Sequence, residues 1–267
     1  MKLRSLPGYP ALFVDYVEST PSACSFFPSH PDRGTLLSHA ALAMNRNLPR
    51  EDICEVLEVQ AKEMGSGDSI VESIRRLSHR DSIVVLASLP PNLLGGPLGL
   101  ILKCLTVAKL ASELSRNGIS AVPVVWLQAV EDSSATTSLL LLDGESNPVR
   151  LTLDATARDP MVKLVDNLMG MATSSWNLQV LHEVSAFCSP GTSYRAAGKA
   201  FLARICDPLG LIWLDEGTPG IQALVDRNLS RIGNELAGRV QLVQERVREL
   251  EEAGYSDNLD LGSDRAV

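Results

Sequence analysis

Three groups of residues in this chain have types and spacing that could do chemistry. The first is Gly95-Gly96-Pro97, with Lys103 six positions on. Glycines let a ligand approach the backbone, and a helix starting at this turn would point N–H groups and a partial positive charge at it. A phosphate or carboxylate is the natural guest. A plain strand-to-helix connection is the alternative, because neither Gly-x-Gly-x-x-Gly nor a phosphate-loop pattern occurs. The second group is Glu131-Asp132, adjacent carboxylates that could hold an amine or a metal, or form a solvated turn. The third is Asp215-Glu216, with the same two readings. His30, His39 and His79 stand alone, and no catalytic residue is assigned. The cysteines at 24, 54, 104, 188 and 206 include no C-x-x-C pair, so neither a disulfide framework nor a zinc site is expected.

These groups need elements to position them. Ile83-Val84-Val85-Leu86 is short and β-branched enough for a buried strand, and Leu89-Pro90-Pro91-Asn92 breaks it. Pro97 suits a first helical position, where its missing N–H would be unpaired in any case. Leu98, Ile101, Leu102, Leu105 and Leu110 then recur at helical spacing, with Lys103 and Lys109 off that stripe. Asn117-Gly118 stops the helix, and Val122 to Leu127 forms the next strand. A strand, helix and strand with short links make a right-handed parallel unit, and ligands of such sheets sit at the strands' carboxyl ends.

Before this unit, helices are expected over 11–17, 32–45 and 50–64, then from Asp68 as a cap. Phe26-Phe27 reads as an aromatic plug. After it come a hairpin from Ser138 to Leu153, helices over 159–187 and 193–206, and a buried strand at Gly210 to Asp215. From Thr218 to Ala253 the chain reads as helical. Leu229, Ile232, Leu236, Val240, Val243, Val247 and Leu250 form a near-heptad seam, which fits one arm of a coiled coil or a helix packed on the sheet.

The expected architecture is therefore α/β. A Rossmann-like parallel sheet core occupies 1–217, with a helical N-terminal segment and an inserted helical and hairpin region at about 138–190. Amphipathic helices follow over 218–255, then a frayed tail over 256–267. Of the 267 residues, 45% are hydrophobic and 21% charged, ordinary for a chain that buries a sizeable core. The net charge of −8 opposes sequence-independent nucleic-acid binding. No apolar block follows Met1-Lys2-Leu3-Arg4 and no run is long enough for a bilayer, so a cytoplasmic location is expected.

The stretches LGGPLGLILKCLTVAKLASELS and AVPVVWLQ resemble the heart of the cysteine-adding enzymes of bacillithiol biosynthesis. PALFVDYVES with Phe26-Phe27 is similar to their opening, and CDPLGLIWLDEGTPGIQALVDRNL to a later strand and helix. The resemblance runs from about Leu6 to Tyr255. It implies a Rossmann-like core kin to nucleotidyltransferases, a helical coiled-coil domain supporting a homodimer, and attachment of cysteine to glucosaminyl malate. By the same resemblance Gly95, Gly96 and Pro97 would shape an anion site, and Lys103 would meet a phosphate or carboxylate. Trp126 would belong to the site, and Glu131 with Asp132 would hold the cysteine amine; ATP or ADP is the expected nucleotide. Two motifs depart from the family. Its Gly-Gln-Gln is here Ser88-Leu89-Pro90, and its Glu-Asp-His-Asp is here Glu131-Asp132-Ser133-Ser134. Family chains are also much longer. A non-catalytic relative that still binds a nucleotide, an anion or a partner is thus the alternative to a ligase.

Overall fold

The computed structural model describes residues 3–5, 7–27, 32–44, 50–63, 66–90, 93–129, 136–142, 147–154, 159–171, 175–233 and 236–255. Its elements are α1 (Ala11–Val17), α2 (Pro21–Cys24), α3 (Arg33–Met44), α4 (Glu51–Glu63), α5 (Asp68–Ser78), β1 (Ile83–Leu89), α6 (Leu98–Arg116), β2 (Ala121–Leu127), β3 (Thr136–Leu142), β4 (Pro148–Asp154), α7 (Pro160–Met171), α8 (Ser175–Ser185), α9 (Tyr194–Cys206), β5 (Ile212–Asp215), α10 (Pro219–Gly233) and α11 (Leu236–Glu252). The chain divides into two compact units, 44–224 and a second formed by 1–43 with 225–267.

The larger unit is built on a parallel sheet of order β1-β2-β5. β2 is central and buried along nearly its whole length, which is why its sequence is a continuous apolar run rather than an alternating one. Val84 pairs in register with Val122 and Leu86 with Val124, so the expected parallel strand–helix–strand unit is present. Arg50 fixes the entry to β1. Its guanidinium donates to the Leu77 carbonyl at 3.0 Å, and to the Ser82 hydroxyl and carbonyl at 2.7 Å each. Before β5 the chain turns at Gly210, whose φ of 62° is left-handed. The Ser73 hydroxyl donates to the Gly210 carbonyl at 2.8 Å there, and a Cβ would come within 3.2 Å of the Ser69 carbonyl oxygen.

α6 packs on β1 and β2 through Leu100, Cys104, Val107, Ala111 and Leu114. This corrects the stripe expected from the sequence, because Leu98, Leu102 and Leu105 are exposed. α6 carries apolar residues all round, and the face that packs closest uses small ones. Cys104 lies beside Cys206 at the end of α9, both fully buried. The neighbouring Cys206 thiol and the burial push the Cys104 thiol far above its ordinary value.

The region inserted between β2 and β5 has its own core. The antiparallel hairpin β3–β4 and helices α7, α8 and α9 enclose Leu93, Leu153, Met161, Leu164, Val165, Leu168, Val184, Cys188 and Ala197. The hairpin link at 143–146 lies outside the described residues.

In the smaller unit, Tyr255 is buried. Its hydroxyl donates to the Asp15 carboxylate at 3.0 Å and lies 3.0 Å from the Ser22 hydroxyl. The Tyr255 ring meets Phe26 edge-on at 6.1 Å, and the Arg246 guanidinium lies 5.4 Å from the Phe26 ring centre. Arg4 pairs with Asp15 and Glu18; with help from Tyr255 it holds the Asp15 carboxyl below its usual range. Phe26 is half-buried and Phe27 exposed, so the pair forms no buried plug. The C-terminal run carries α10 and α11, and the seam residues Leu229, Val240 and Val243 are exposed.

Candidate functional site

The carboxyl ends of β1, β2 and β5 bring together the turn into α6, the start of the β2 loop and Asp215-Glu216. Asp215 closes β5 and carries the densest electrostatics there. Its carboxylate accepts from the Arg195 guanidinium, from Lys199 Nζ at 2.8 Å and from the Gly217 amide at 3.0 Å. Burial alone would raise the Asp215 carboxyl. The Lys199 ammonium, the Gly217 amide and the Arg195 guanidinium outweigh burial and hold it below the ordinary carboxylate value. Gly217 leaves room for this arrangement, since a Cβ there would clash with the Arg195 guanidinium.

Arg195 and Lys199 were not singled out in the sequence. Their signal is a pair of cations at i and i+4 near the start of a helix that leads into a strand ending in aspartate. The chain reverses through the short 3-10 turn at Asp207–Leu209, which brings the first turns of α9 beside the end of β5. Two cations converge on one carboxylate. The cluster can therefore meet an anionic group without a further charge being brought in, while Asp215 can accept from an ammonium.

Glu216 ties the neighbouring strand end. Its carboxylate accepts from the Trp126 indole N–H at 3.3 Å and from the Ala129 amide at 2.8 Å. Its own amide donates to the Leu127 carbonyl at 3.0 Å. Trp126, one of the residues expected at the site, is thus half-buried and held at the β2 end. Glu131 and Asp132 lie outside the described residues.

At the turn into α6, Leu94, Gly95 and Gly96 all have left-handed φ, at 48°, 85° and 60°. Pro97 is the N-cap rather than the first helical residue. A Cβ on Gly95 would lie 2.7 Å from the Phe201 ring of α9, so this glycine is filled from one side by packing. Gly96 is half-buried, and Pro97 and Leu98 are exposed, which leaves the helix start open beside it. Lys103 is exposed, as the cost of burying an unpaired ammonium requires. Leu89, at a position where the family pattern carries glutamine, is fully buried in the core.

A separate cleft of about 360 Å³ flanks α9, lined by Gly67, Ile70, Phe187, Lys199, Arg204 and Asp207 among others. None of the residues expected from the sequence lines it; Lys199 alone links it to the Asp215 cluster. Among the described residues, no group of three His, Cys, Asp or Glu side chains is placed to hold a metal ion. No described helix is long and apolar enough to cross a membrane.

The Asp215 cluster also makes stability pH-dependent. A depressed carboxyl contributes stability that is fully present above its unfolded value of about 3.9 and is lost as pH falls through the lower folded value. Denaturant unfolding of the wild type and Asp215→Asn should therefore differ most above about pH 4, and the difference should shrink progressively as pH falls below that value. A gap that stays constant from pH 7 to pH 3 would contradict this account.

A parallel sheet with helices between its strands, and polar groups gathered at the strands' carboxyl ends, define a Rossmann-like α/β protein. The chain belongs to the family described as Bacillithiol biosynthesis BshC, N-terminal Rossmann-like domain, whose model matches residues 1–266. It is similar to curated relatives that each bear the name "Putative cysteine ligase BshC". The relative from Koribacter versatilis is 24% identical over 98% of this chain and 51% of its own length. Those from Geobacillus kaustophilus and Solibacter usitatus are 23% and 25% identical over 98% and 96% of this chain. The chain spans about half the length of the curated relatives it matches.

Proposed function

We propose that the chain serves bacillithiol biosynthesis as the Rossmann-like half of a cysteine-adding ligase, and that this half binds ligands but does not complete the reaction alone. The family match over residues 1–266 supports the pathway. The observation that carries the second part is Leu89. Where the family pattern has an amide, this side chain is fully buried and can donate to no ligand. Pro90 replaces the second amide, and Ser133, which is no base near neutral pH, stands in place of the family histidine. Loss of one preorganised donor typically slows an enzyme about 10²–10³-fold, and several losses together push turnover lower still.

In this reading the open start of α6 at Gly96 and Pro97 takes the phosphate of ATP or ADP, with Lys103 as the nearby cation. Cysteine binds at the β2 and β5 ends, its ammonium toward Glu131, Asp132 or Asp215 and its carboxylate toward Arg195 and Lys199. Glucosaminyl malate is the second substrate. A homodimer through α11 belongs to the same proposal, and a cytoplasmic site of action follows from the pathway.

The test is mass spectrometry of an overnight incubation with cysteine, glucosaminyl malate and ATP, beside calorimetric titration with each alone. The expected result is binding of at least one ligand, weakened by Lys103→Ala or Arg195→Ala, without product. A product peak that disappears in Lys103→Ala would show an intact active site and overturn the second part. Absence of binding by any ligand would overturn the first.

A further inference from the structure

Two buried side-chain atoms in the larger unit have no hydrogen-bond partner among the described residues, and they are complementary. Gln60 Oε1, on α4, is an acceptor, and the indole N–H of Trp213, on β5, is a donor. Gln60 is 4% exposed and Trp213 3%. Buried polar groups are almost always paired, so two orphans need a cause. Both residues line one small cavity, with about 10 Å³ open to the centre of a water molecule. Leu57, Ile74 and Ile212 wall it, and Ser66 adds a hydroxyl-bearing residue to the lining.

That volume is about what a single water requires. The chemistry selects water as well, since water accepts from an indole N–H and donates to an amide oxygen at once. An anion would be repelled by the Gln60 oxygen, and a cation would face the indole N–H. Ser66 and Ile70 also line the cleft of about 360 Å³ beside α9, so the cavity lies next to a route from solvent.

The other end of Gln60 reaches the candidate site. Its Nε2 donates to the Thr218 hydroxyl at 2.9 Å. The Thr218 amide donates to the Asp215 carbonyl at 3.0 Å, and the Thr218 carbonyl accepts from the Gln222 amide at 3.0 Å as α10 begins. Gln60 thus grips the turn that follows Asp215. A carboxamide anchored at both ends grips more firmly than one anchored only at Thr218.

We infer that this cavity binds one ordered water, which joins the Trp213 indole N–H to Gln60 Oε1, and that Gln60, anchored by it, is a positioning residue for the 215–218 turn. The inference concerns the geometry of the strand end and holds whichever ligand binds there.

The experiment is NMR of the full chain with its three tryptophans labelled at the indole nitrogen. Trp213→Phe identifies the Trp213 signal by its loss. That indole proton should show a cross-peak to water with opposite signs in NOESY and ROESY, the mark of a held molecule rather than of proton exchange. No such peak would overturn the inference. Gln60→Leu and Trp213→Phe should each raise the unfolding equilibrium constant by about tenfold, because each leaves a polar partner unpaired. The double variant should fall short of the product of the two, since no polar group then faces the cavity; strict multiplication would count against the bridge. Amide hydrogen exchange reads the positioning role. In Gln60→Leu the Thr218 amide should exchange faster by about tenfold more than the Val124 amide of the central strand. Equal acceleration of the two would mean general destabilisation and would overturn that role. The water signal is read on the unsubstituted chain, so a variant that fails to fold leaves the water site decided.

Discussion

Asp215→Ala is expected to destabilise the larger unit by about 2–3 kcal/mol, less than the 3–5 typical of breaking a fully buried pair, because the cluster keeps some solvent contact. The loss comes from what remains. Arg195 and Lys199 would face each other with no carboxylate between them, and the Gly217 amide would lose its acceptor. For a unit of this size that corresponds to a fall in Tm of about 5–10 °C. A companion variant separates the causes. Adding Arg195→Met and Lys199→Met to Asp215→Ala removes the uncompensated cations and should recover part of the loss. A single-variant change below about 0.5 kcal/mol would mean that water already solvates these charges.

Gly95→Ala is expected to cost about 3 kcal/mol, the sum of left-handed strain and overpacking. The strain follows from φ at 85°, and the overpacking from a Cβ 2.7 Å from the Phe201 ring. That ring meets Phe187 edge-on at 6.5 Å, so its retreat disturbs the inserted core. Gly118→Ala serves as the comparison. It has φ at 82° but meets nothing within 4 Å, so only the strain of about 1–2 kcal/mol should appear. Equal losses at the two positions, measured by denaturant unfolding, would remove packing from the explanation.

These two sites mark where reading the sequence succeeded and where it stopped. The strands were legible because Val122 to Val125 and Ile212 to Leu214 are unbroken apolar runs, the mark of strands covered on both faces. The hairpin and the turn at Asn117-Gly118 were legible from turn chemistry, and Gly118 is indeed left-handed. The buried face of α6 was not. Its leucines recur on more than one face, and periodicity cannot choose between them when the packed face uses Cys104 and Ala111. The sequence marks Gly95 as a place for a ligand, and the structure adds a ring of α9 that no local pattern reveals. The Asp215 cluster was half legible. The strand-end carboxylate is visible in the sequence, but its cations lie 16 and 20 residues upstream and are joined to it only by the reversal of α9 into β5. α2, four residues long, gave no periodic signal at all.

The bond between Tyr255 and Asp15 has a consequence in time. It joins residues 240 positions apart, and every residue of the larger unit lies between them. As the chain leaves the ribosome, the larger unit emerges whole before Tyr255 does. Domains fold as units during synthesis at about 5–20 residues per second, so the segment 1–43 waits on the order of ten seconds for its partner. Asp15, Ser22 and Phe26, which meet Tyr255 in the finished fold, are without that partner throughout the delay. The late closure then costs less than its length suggests, because a folded larger unit replaces a long flexible loop whose entropy would oppose it.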